Sequence, residues 1–177
     1  DRGLSPGAPL AFAVDTSEQG RSAIGAAGPA AGGRRMCVEV TSGPDGLDHR
    51  PGTDWVVPRL VELAESWGPC AVVVNPGSLS AAVLKPLRNA FVAAGLDPAL
   101  IKTLTVREVC EAFGQFHGAA TEDRHSTPLR HGGQDVLDTA VAVAQRRRVG
   151  AGMWCWDWES PGDISPVIKH GDYYEVY

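Results

Sequence analysis

The chain has 177 residues, is 44% hydrophobic and carries 16 basic against 21 acidic side chains, for a formal net charge of −5. This length supports one globular domain with a substantial core. The negative charge argues against a domain held on nucleic acid by overall charge alone. No apolar run approaches the roughly 18 residues of a membrane span, and the N-terminus lacks a signal-peptide layout. We expect a soluble, cytosolic protein with no membrane contact, in which residues 1–9 are the remnant of a linker from a longer chain.

The cysteines are far apart, without a Cys-x-x-Cys pair or a His at zinc spacing. We therefore interpret them as small buried hydrophobic residues in a reducing compartment. They are Cys37, Cys70, Cys110 and Cys155.

The first third of the sequence predicts strands at residues 10–14, 21–27 and 35–41, because each run is apolar or β-branched and ends at Gly, Pro or Ser. Their short connections favour an antiparallel meander. The next stretch, SGPDGLDHRPGTD, has the composition of turns. Apolar residues at helical spacing from Val56 to Trp67 then predict a helix, with Thr53 or Asp54 as its cap.

The remainder alternates strand and helix patterns. The run CAVVVNP is typical of a strand buried on both faces of a parallel sheet. A helix is predicted at about 79–94; it ends at Gly95, and Pro86 either kinks it or delays its start. A strand at 101–106 follows, and then a helix opened by the capping box of Thr105 and Glu108. The last predicted elements are a loop at 118–133 with at most a short strand near Leu129, a helix at 134–148, a strand at 152–158 and a final helix capped by Asp163. A meander followed by such alternation predicts an α/β fold whose mixed sheet carries helices on both faces.

Three polar residues share one position in this pattern, the end of a strand or the start of a helix. They are Asp15, Asn75 and Asp163. If the first and fourth strands are neighbours, Asp15 and Asn75 emerge side by side, and the last helix brings Asp163 to the same edge. Such an oxygen-rich pocket suits hard divalent cations, two of which can hydrolyse a phosphodiester. The alternative is that these residues are only helix caps or turn formers.

Four segments, in order, carry a family resemblance: AFAVDTSEQGRSAIGAAG, RPGTDWVVPRLVEL with CAVVVNP, LRHGGQDVLDTAVAVAQRR, and MWCWDWESPGDISPV. Together they resemble the C-terminal nuclease domain of large terminase subunits from tailed phages of actinobacteria. The resemblance covers nearly the whole chain. It implies a single RNase H-like domain over residues 1–177, with a C-terminal tail at 170–177.

The resemblance also implies an activity and its setting. Such domains are endonucleases that cut concatemeric double-stranded phage DNA during packaging, using two Mg²⁺ or Mn²⁺ ions. Expected partners are double-stranded DNA, the portal, the small terminase subunit and an N-terminal ATPase domain of the same full-length chain, at the procapsid in the host cytoplasm. The ATPase phosphate loop GxxxxGK[ST] does not occur here, which fits a nuclease-only segment.

Matched to the family pattern, the first acid falls on Asp15 and the late acid on Asp163. The middle acid falls on Asn75, a departure, because an amide oxygen can bind a metal without supplying charge. Asp157 or Glu159 would then compensate, or metal binding would be weak. His131 matches a histidine of the family and is a secondary catalytic candidate, although a capping or loop role suits its position equally.

Several charged residues can be interpreted either as functional or as purely structural. Expected DNA contacts are Lys85 and Arg88 on the second helix and Arg146, Arg147 and Arg148, the last three placed at the C-terminus of a helix. The acids Glu39, Glu62 and Glu65 are expected on solvated faces, and His49, His117, His125 and His170 in surface loops.

Other functions remain open from the sequence. One is an RNase H-like module that binds DNA or the portal and whose catalysis is weakened at Asn75. Another is an ATP-binding domain of the actin and sugar-kinase type, although that fold needs a longer chain. Within the nucleases, a Holliday-junction resolvase or integrase core shares the fold.

Overall fold

The computed structural model describes residue 4 and residues 7–17, 20–30, 35–76, 79–121, 129–143, 145–150 and 152–156, with only the backbone at positions 79, 143, 147 and 156. The predicted helix opening at Asp163 and the predicted tail at 170–177 lie outside these residues. Within the described ranges, no helix is long and apolar enough to cross a membrane.

Strands account for much of the described chain. They are β1 (Ala11–Thr16), β2 (Arg21–Pro29), β3 (Met36–Val40), β4 (Ser42–Gly43), β5 (Gly46–Leu47), β6 (His49–Pro51), β7 (Ala71–Val74), β8 (Ile101–Thr103), β9 (Leu129–Arg130), β10 (Arg146–Val149) and β11 (Met153–Trp156). The central sheet has the order β8-β7-β1-β2-β3-β9, and β6 also pairs with β2. β4 with β5, and β10 with β11, form separate hairpins.

The pairing directions make this sheet mixed. β1, β2 and β3 form an antiparallel meander, whereas β7 joins β1 in parallel, β8 joins β7 in parallel and β9 joins β3 in parallel. The predicted meander and the predicted neighbourhood of the first and fourth strands are therefore confirmed.

Helices cover the two faces of the sheet. They are α1 (Val56–Trp67), α2 (Leu84–Ala93), α3 (Val106–Thr121) and α4 (Asp135–Val143), with 3-10 turns at Leu79–Val83 and Pro98–Leu100. Because strand side chains alternate between faces, Phe12 and Val14 of β1 pack in one core with α1 and α2. Ala13, between them, packs in a second core with α3 and α4. The predicted α/β architecture with helices on both faces is confirmed.

Local signals fixed some element ends as predicted. The Thr105 amide donates to Glu108 Oε2 at 2.7 Å and the Glu108 amide donates to the Thr105 hydroxyl oxygen at 3.3 Å, the reciprocal bonds of a capping box. The Thr105 hydroxyl also donates to Glu108 Oε2 at 2.7 Å. The bonds that the Glu108 carboxyl accepts from Thr105, the backbone one first, lower its pKa. Pro86 is the third residue of α2, which therefore starts late, after the 3-10 turn. Gly95, at φ +73°, follows its end.

The predicted helix at 134–148 is wrong in its last third. α4 ends at Val143, and Arg146–Val149 forms β10, which pairs antiparallel with β11. A cation–π contact stabilises this hairpin, because the Arg146 guanidinium lies 4.9 Å from the centre of the Trp154 ring on the facing strand. Gly150 and Gly152, at φ +58° and +90°, make the turn. The three arginines are thus on a strand, not at a helix C-terminus.

Smaller expectations also need correction. The first residue before α1 is Trp55, with no side-chain cap bond, so neither Thr53 nor Asp54 caps the helix; the amide of Val56 instead donates to the Thr53 carbonyl. Cys70 is exposed, unlike the other cysteines. His49 lies in β6 and His117 in α3, where its ring meets Trp154 edge to face, so neither is a loop residue.

The segment SGPDGLDHRPGTD, predicted to form turns, contains a buried ion-pair cluster centred on Asp48. This carboxylate is fully buried and accepts hydrogen bonds from Arg59 Nε at 2.8 Å, Arg50 Nη2 at 2.8 Å and the Thr41 hydroxyl at 2.7 Å. Burial alone lowers the pKa of Arg59, but hydrogen bonds to Glu62 and Asp48 outweigh it, so that pKa lies above its ordinary value. The cluster ties β6 and the β4–β5 hairpin to α1.

We expect Asp48→Asn to lower the free energy of unfolding by about 3 kcal/mol, because two partly buried guanidinium groups lose their anion. The matched control is Asp45→Asn, which removes a carboxylate that also contacts Arg50 but is 79% exposed; its cost should stay below about 1 kcal/mol. Urea unfolding measures both. Equal losses for the two variants would contradict a structural role for the buried cluster.

Candidate metal centre

The parallel pairing of β1 with β7 builds the candidate site. Its register aligns Val14 with Val74, so Asp15 and Asn75 occupy the next step of the two neighbouring strands at their C-terminal ends. Asp15 is 3% exposed, and Asn75 is half-buried. Strand alternation places Asp15 on the same face as Ala13, the face covered by α3 and α4. The sheet thus brings these two predicted ligands together.

Ser80 links the two strand ends. Its hydroxyl lies 3.1 Å from Asp15 Oδ1 and 3.2 Å from the Asn75 carbonyl oxygen, and Ser80 itself is fully buried. A single hydroxyl proton serves these two acceptors, and a carboxylate is the stronger one. The amide of Thr16 also donates to Asp15 Oδ1, at 2.9 Å. These donors hold the carboxylate in one orientation, as a metal ligand requires.

Sequence reasoning missed Ser80. It is 65 residues from Asp15 in the chain, and its neighbours read only as the start of an amphipathic helix. The available signal was its place shortly after a strand that ends in Asn75, where the chain turns back over the edge of the sheet.

The described oxygen ligands, those of Asp15 and Asn75, are of the chemical type that a hard divalent cation binds, but two ligands are fewer than such an ion requires. A carboxylate and an amide carbonyl are ligands of the type that Mg²⁺ and Mn²⁺ accept, with water and phosphate completing the shell. Among the described residues, however, no three His, Cys, Asp or Glu side chains are grouped to hold a metal. Asp163 and the substitutes Asp157 and Glu159 lie outside those residues. β11, which leads to them, packs through Cys155 into the core on the Asp15 face.

His131 lies elsewhere on the sheet. It follows β9, which is three strand spacings from β1, or about 14 Å at the usual strand separation. Its exposed ring accepts from the Gly133 amide through Nδ1 at 3.3 Å and has Nε2 3.4 Å from Asp138. These contacts support a loop role, and a catalytic role for His131 stays a prediction.

The loop that carries His131 is anchored by Gln134. Its side-chain amide accepts from the Val40 amide and donates to the Val40 carbonyl, each at 2.8 Å. The side chain thereby extends the edge of β3 where β9 has ended. Glu39 is half-buried, with its carboxylate 3.4 Å from Cys37 Sγ, whereas Glu62 and Glu65 are exposed on α1 as predicted.

The basic candidates fall into two groups. Lys85 and Arg88 are exposed on α2, which follows directly after the 3-10 turn that contains Ser80. Arg146 and Arg148 are exposed on β10, while the Arg147 side chain is not described. The first group is connected to the Asp15 edge by a few residues of chain. DNA contacts by either group stay predictions.

Comparison with known proteins bears on this architecture. No protein-family model and no curated protein sequence matches the chain. Among solved structures, it is similar to gp2c of the large terminase subunit from bacteriophage Sf6, a substituted form with calcium, at a TM-score of 0.54 and 16% identity over 96% of this chain and 87% of that one.

The chain has the fold of a terminase nuclease domain. A second structure agrees: the nuclease domain of the large terminase subunit gp2 of bacterial virus Sf6 with manganese has a TM-score of 0.52 and 15% identity, over 95% of this chain and 86% of that one. At these identities the comparison establishes the RNase H-like fold, as the resemblance implied. The similarity extends over nearly the whole chain, and so includes the mixed sheet whose first strand carries Asp15.

We expect Ser80→Ala to lower the free energy of unfolding by about 1–3 kcal/mol, because a buried carboxylate oxygen loses a donor. Ser66→Ala, at an exposed position of α1, is the matched control and should change stability by no more than about 0.5 kcal/mol. Urea unfolding compares the two. A neutral Ser80→Ala would show that the hydroxyl does not hold Asp15.

Proposed function

We propose that the chain is a metal-dependent DNA endonuclease domain of a phage DNA-packaging terminase. The observation that carries the proposal is the buried, doubly hydrogen-bonded Asp15 beside Asn75 at the end of the central parallel pair. The terminase-type fold supports it, since structures of that fold have been solved with calcium and with manganese.

In the proposed site, Asp15, Asn75 and Asp163 hold two Mg²⁺ or Mn²⁺ ions. Bound there, the ions would activate a water and stabilise the leaving oxygen of a phosphodiester. The protein itself holds the ligands in place. β1 and β7 set the spacing of Asp15 and Asn75, and Ser80 orients the Asp15 carboxylate. His131 would be a secondary catalytic residue.

We further propose the wider setting that the resemblance implies. Residues 1–177 form one nuclease domain, which acts on concatemeric double-stranded DNA in the host cytoplasm, at the procapsid. The portal, the small terminase subunit and an N-terminal ATPase domain are the proposed partners. Exposed Lys85, Arg88, Arg146 and Arg148, with Arg147, would contact the DNA backbone.

The decisive variants are Asp15→Asn and Asp163→Asn. Each should reduce Mn²⁺-dependent nicking of plasmid DNA at least about 100-fold, because a charged ligand becomes neutral. Melting of Asp15→Asn should be nearly unchanged or raised, since an amide oxygen still accepts from Thr16 and Ser80. Agarose-gel nicking assays and thermal melts measure both effects.

Asp45→Asn, an exposed change far from any proposed ligand in sequence, controls for charge and should nick like the wild-type chain. Retained nicking in an Asp15 or Asp163 variant would remove that residue from the mechanism. A wild-type chain that binds DNA and does not nick it with either metal would favour the alternative, a binding module weakened at Asn75.

Asn75→Asp should raise nicking, most clearly at low Mg²⁺, because it adds a negative ligand where a two-metal site needs one. It should also lower the melting temperature without metal, and added metal should restore it by binding to the folded state. Parallel titrations with Mg²⁺ and Mn²⁺ measure both.

The matched control is Asn89→Asp, which adds the same charge at an exposed position of α2 and should not raise activity. Equal or lower nicking by Asn75→Asp across the titration would mean that Asp157, Glu159 or another acid is the middle ligand.

A further inference from the structure

The row of the sheet that contains Asp15 continues to His49. Asp15 of β1 pairs with Ala23 of β2, and Ala23 pairs on its other side with His49 of β6. β3 pairs with β2 only between Gly25 and Pro29, which leaves this row to β6. Residues directly opposite one another share a face of the sheet. Two strand spacings, about 10 Å, separate the backbones of Asp15 and His49.

A second observation puts His49 on the same face as Asp15. The residues on either side of His49, Asp48 and Arg50, bond to each other, and Asp48 also bonds to Arg59 of α1. Their side chains therefore lie on the face that α1 covers. Because strand side chains alternate between faces, His49 lies on the opposite face, which is the face of Asp15.

The structure holds the backbone of His49 in place. The Ile24 amide donates to the Asp48 carbonyl at 2.9 Å, and Arg21 Nη2 donates to the His49 carbonyl at 3.2 Å. The bond from Arg59 to Asp48 fixes the same segment to α1. His49 itself is half-buried, so it is neither sealed in the core nor as free to move as an exposed side chain.

We propose that His49 donates a hydrogen bond from its imidazole to a phosphate oxygen of the DNA strand held at Asp15. The inference rests on the proposed nuclease function. A carboxylate repels a phosphate, so a neutral or cationic donor is needed on the side of the phosphate away from Asp15. Imidazole has a ring N–H in both of its protonation states. Only Ala23, whose side chain is a methyl group, stands between the two in this row, so both side chains can face one phosphate group.

Two variants of similar side-chain length separate the hydrogen bond from packing. His49→Gln keeps an N–H donor near the position of Nε2, whereas His49→Met has none. Both are made on the Asp15→Asn background, where cleavage is expected to be lost, and fluorescence anisotropy with a labelled duplex in Ca²⁺ gives Kd. His49→Met should weaken binding about fivefold or more, because a hydrogen bond to a charged group is lost. His49→Gln should stay within about twofold of the parent.

The matched control is Gln115→Met, which removes an N–H donor at an exposed position of α3 and should leave Kd unchanged. Equal Kd values for His49→Met and the parent would overturn the proposal, as would equal losses for the Met and Gln variants or an equal loss for Gln115→Met.

Urea unfolding shows whether each variant is folded, and His49→Ala supplies the same comparison with His49→Gln where Met is not tolerated on β6. In the otherwise wild-type chain, Mn²⁺-dependent nicking should fall in the Met variant and be largely retained in the Gln variant. Equal nicking by the Met variant and the wild-type chain would contradict the contact. An inactive wild-type chain would contradict the nuclease function, and the binding series would still decide whether His49 contacts DNA.

Discussion

The parallel pairing of β1 with β7 is the constraint on which the candidate site depends. It joins the first strand of the meander to the first strand of the helix-connected half, and its register brings Asp15 and Asn75 to adjacent strand ends. The strand residues before them are almost entirely buried between two helical layers. A slip of one residue would turn every side chain to the other face and empty both cores, so the core fixes the positions of the two ligands.

Around this pair, the rest of the fold supplies orientation and support. Ser80 closes the turn after β7 onto Asp15. The Asp48 cluster joins α1 to β6, the short strand that pairs with Ala23, the β2 partner of Asp15. The cluster therefore supports the row of the sheet in which Asp15 lies.

The elements that the sequence predicted well were those with a local cause. The apolar run before Asp15, the capping box at Thr105 and the late start of α2 at Pro86 each depend on neighbouring residues. The failures had distant causes. Arg146–Val149 becomes a strand because Trp154 and its neighbours pair with it, and Asp48 is buried because Arg59, on a helix 11 residues away, reaches it. Ser80 was missed for the same reason, since its partner Asp15 lies on another strand. Two of the three predicted ligands, Asp15 and Asn75, lie on neighbouring strands, while Asp163 lies outside the described residues.

The central claim is that Asp15 and Asp163 hold divalent cations together at the end of the β1 and β7 pair. A crystal structure of the chain with Mn²⁺, with anomalous diffraction recorded at the manganese absorption edge, tests it most directly. The account predicts anomalous peaks at ligand distance from both carboxylates, with the Asn75 amide oxygen in the same shell. Manganese peaks that lie away from Asp15, or an ordered Asp163 on the opposite face of the sheet, would contradict it.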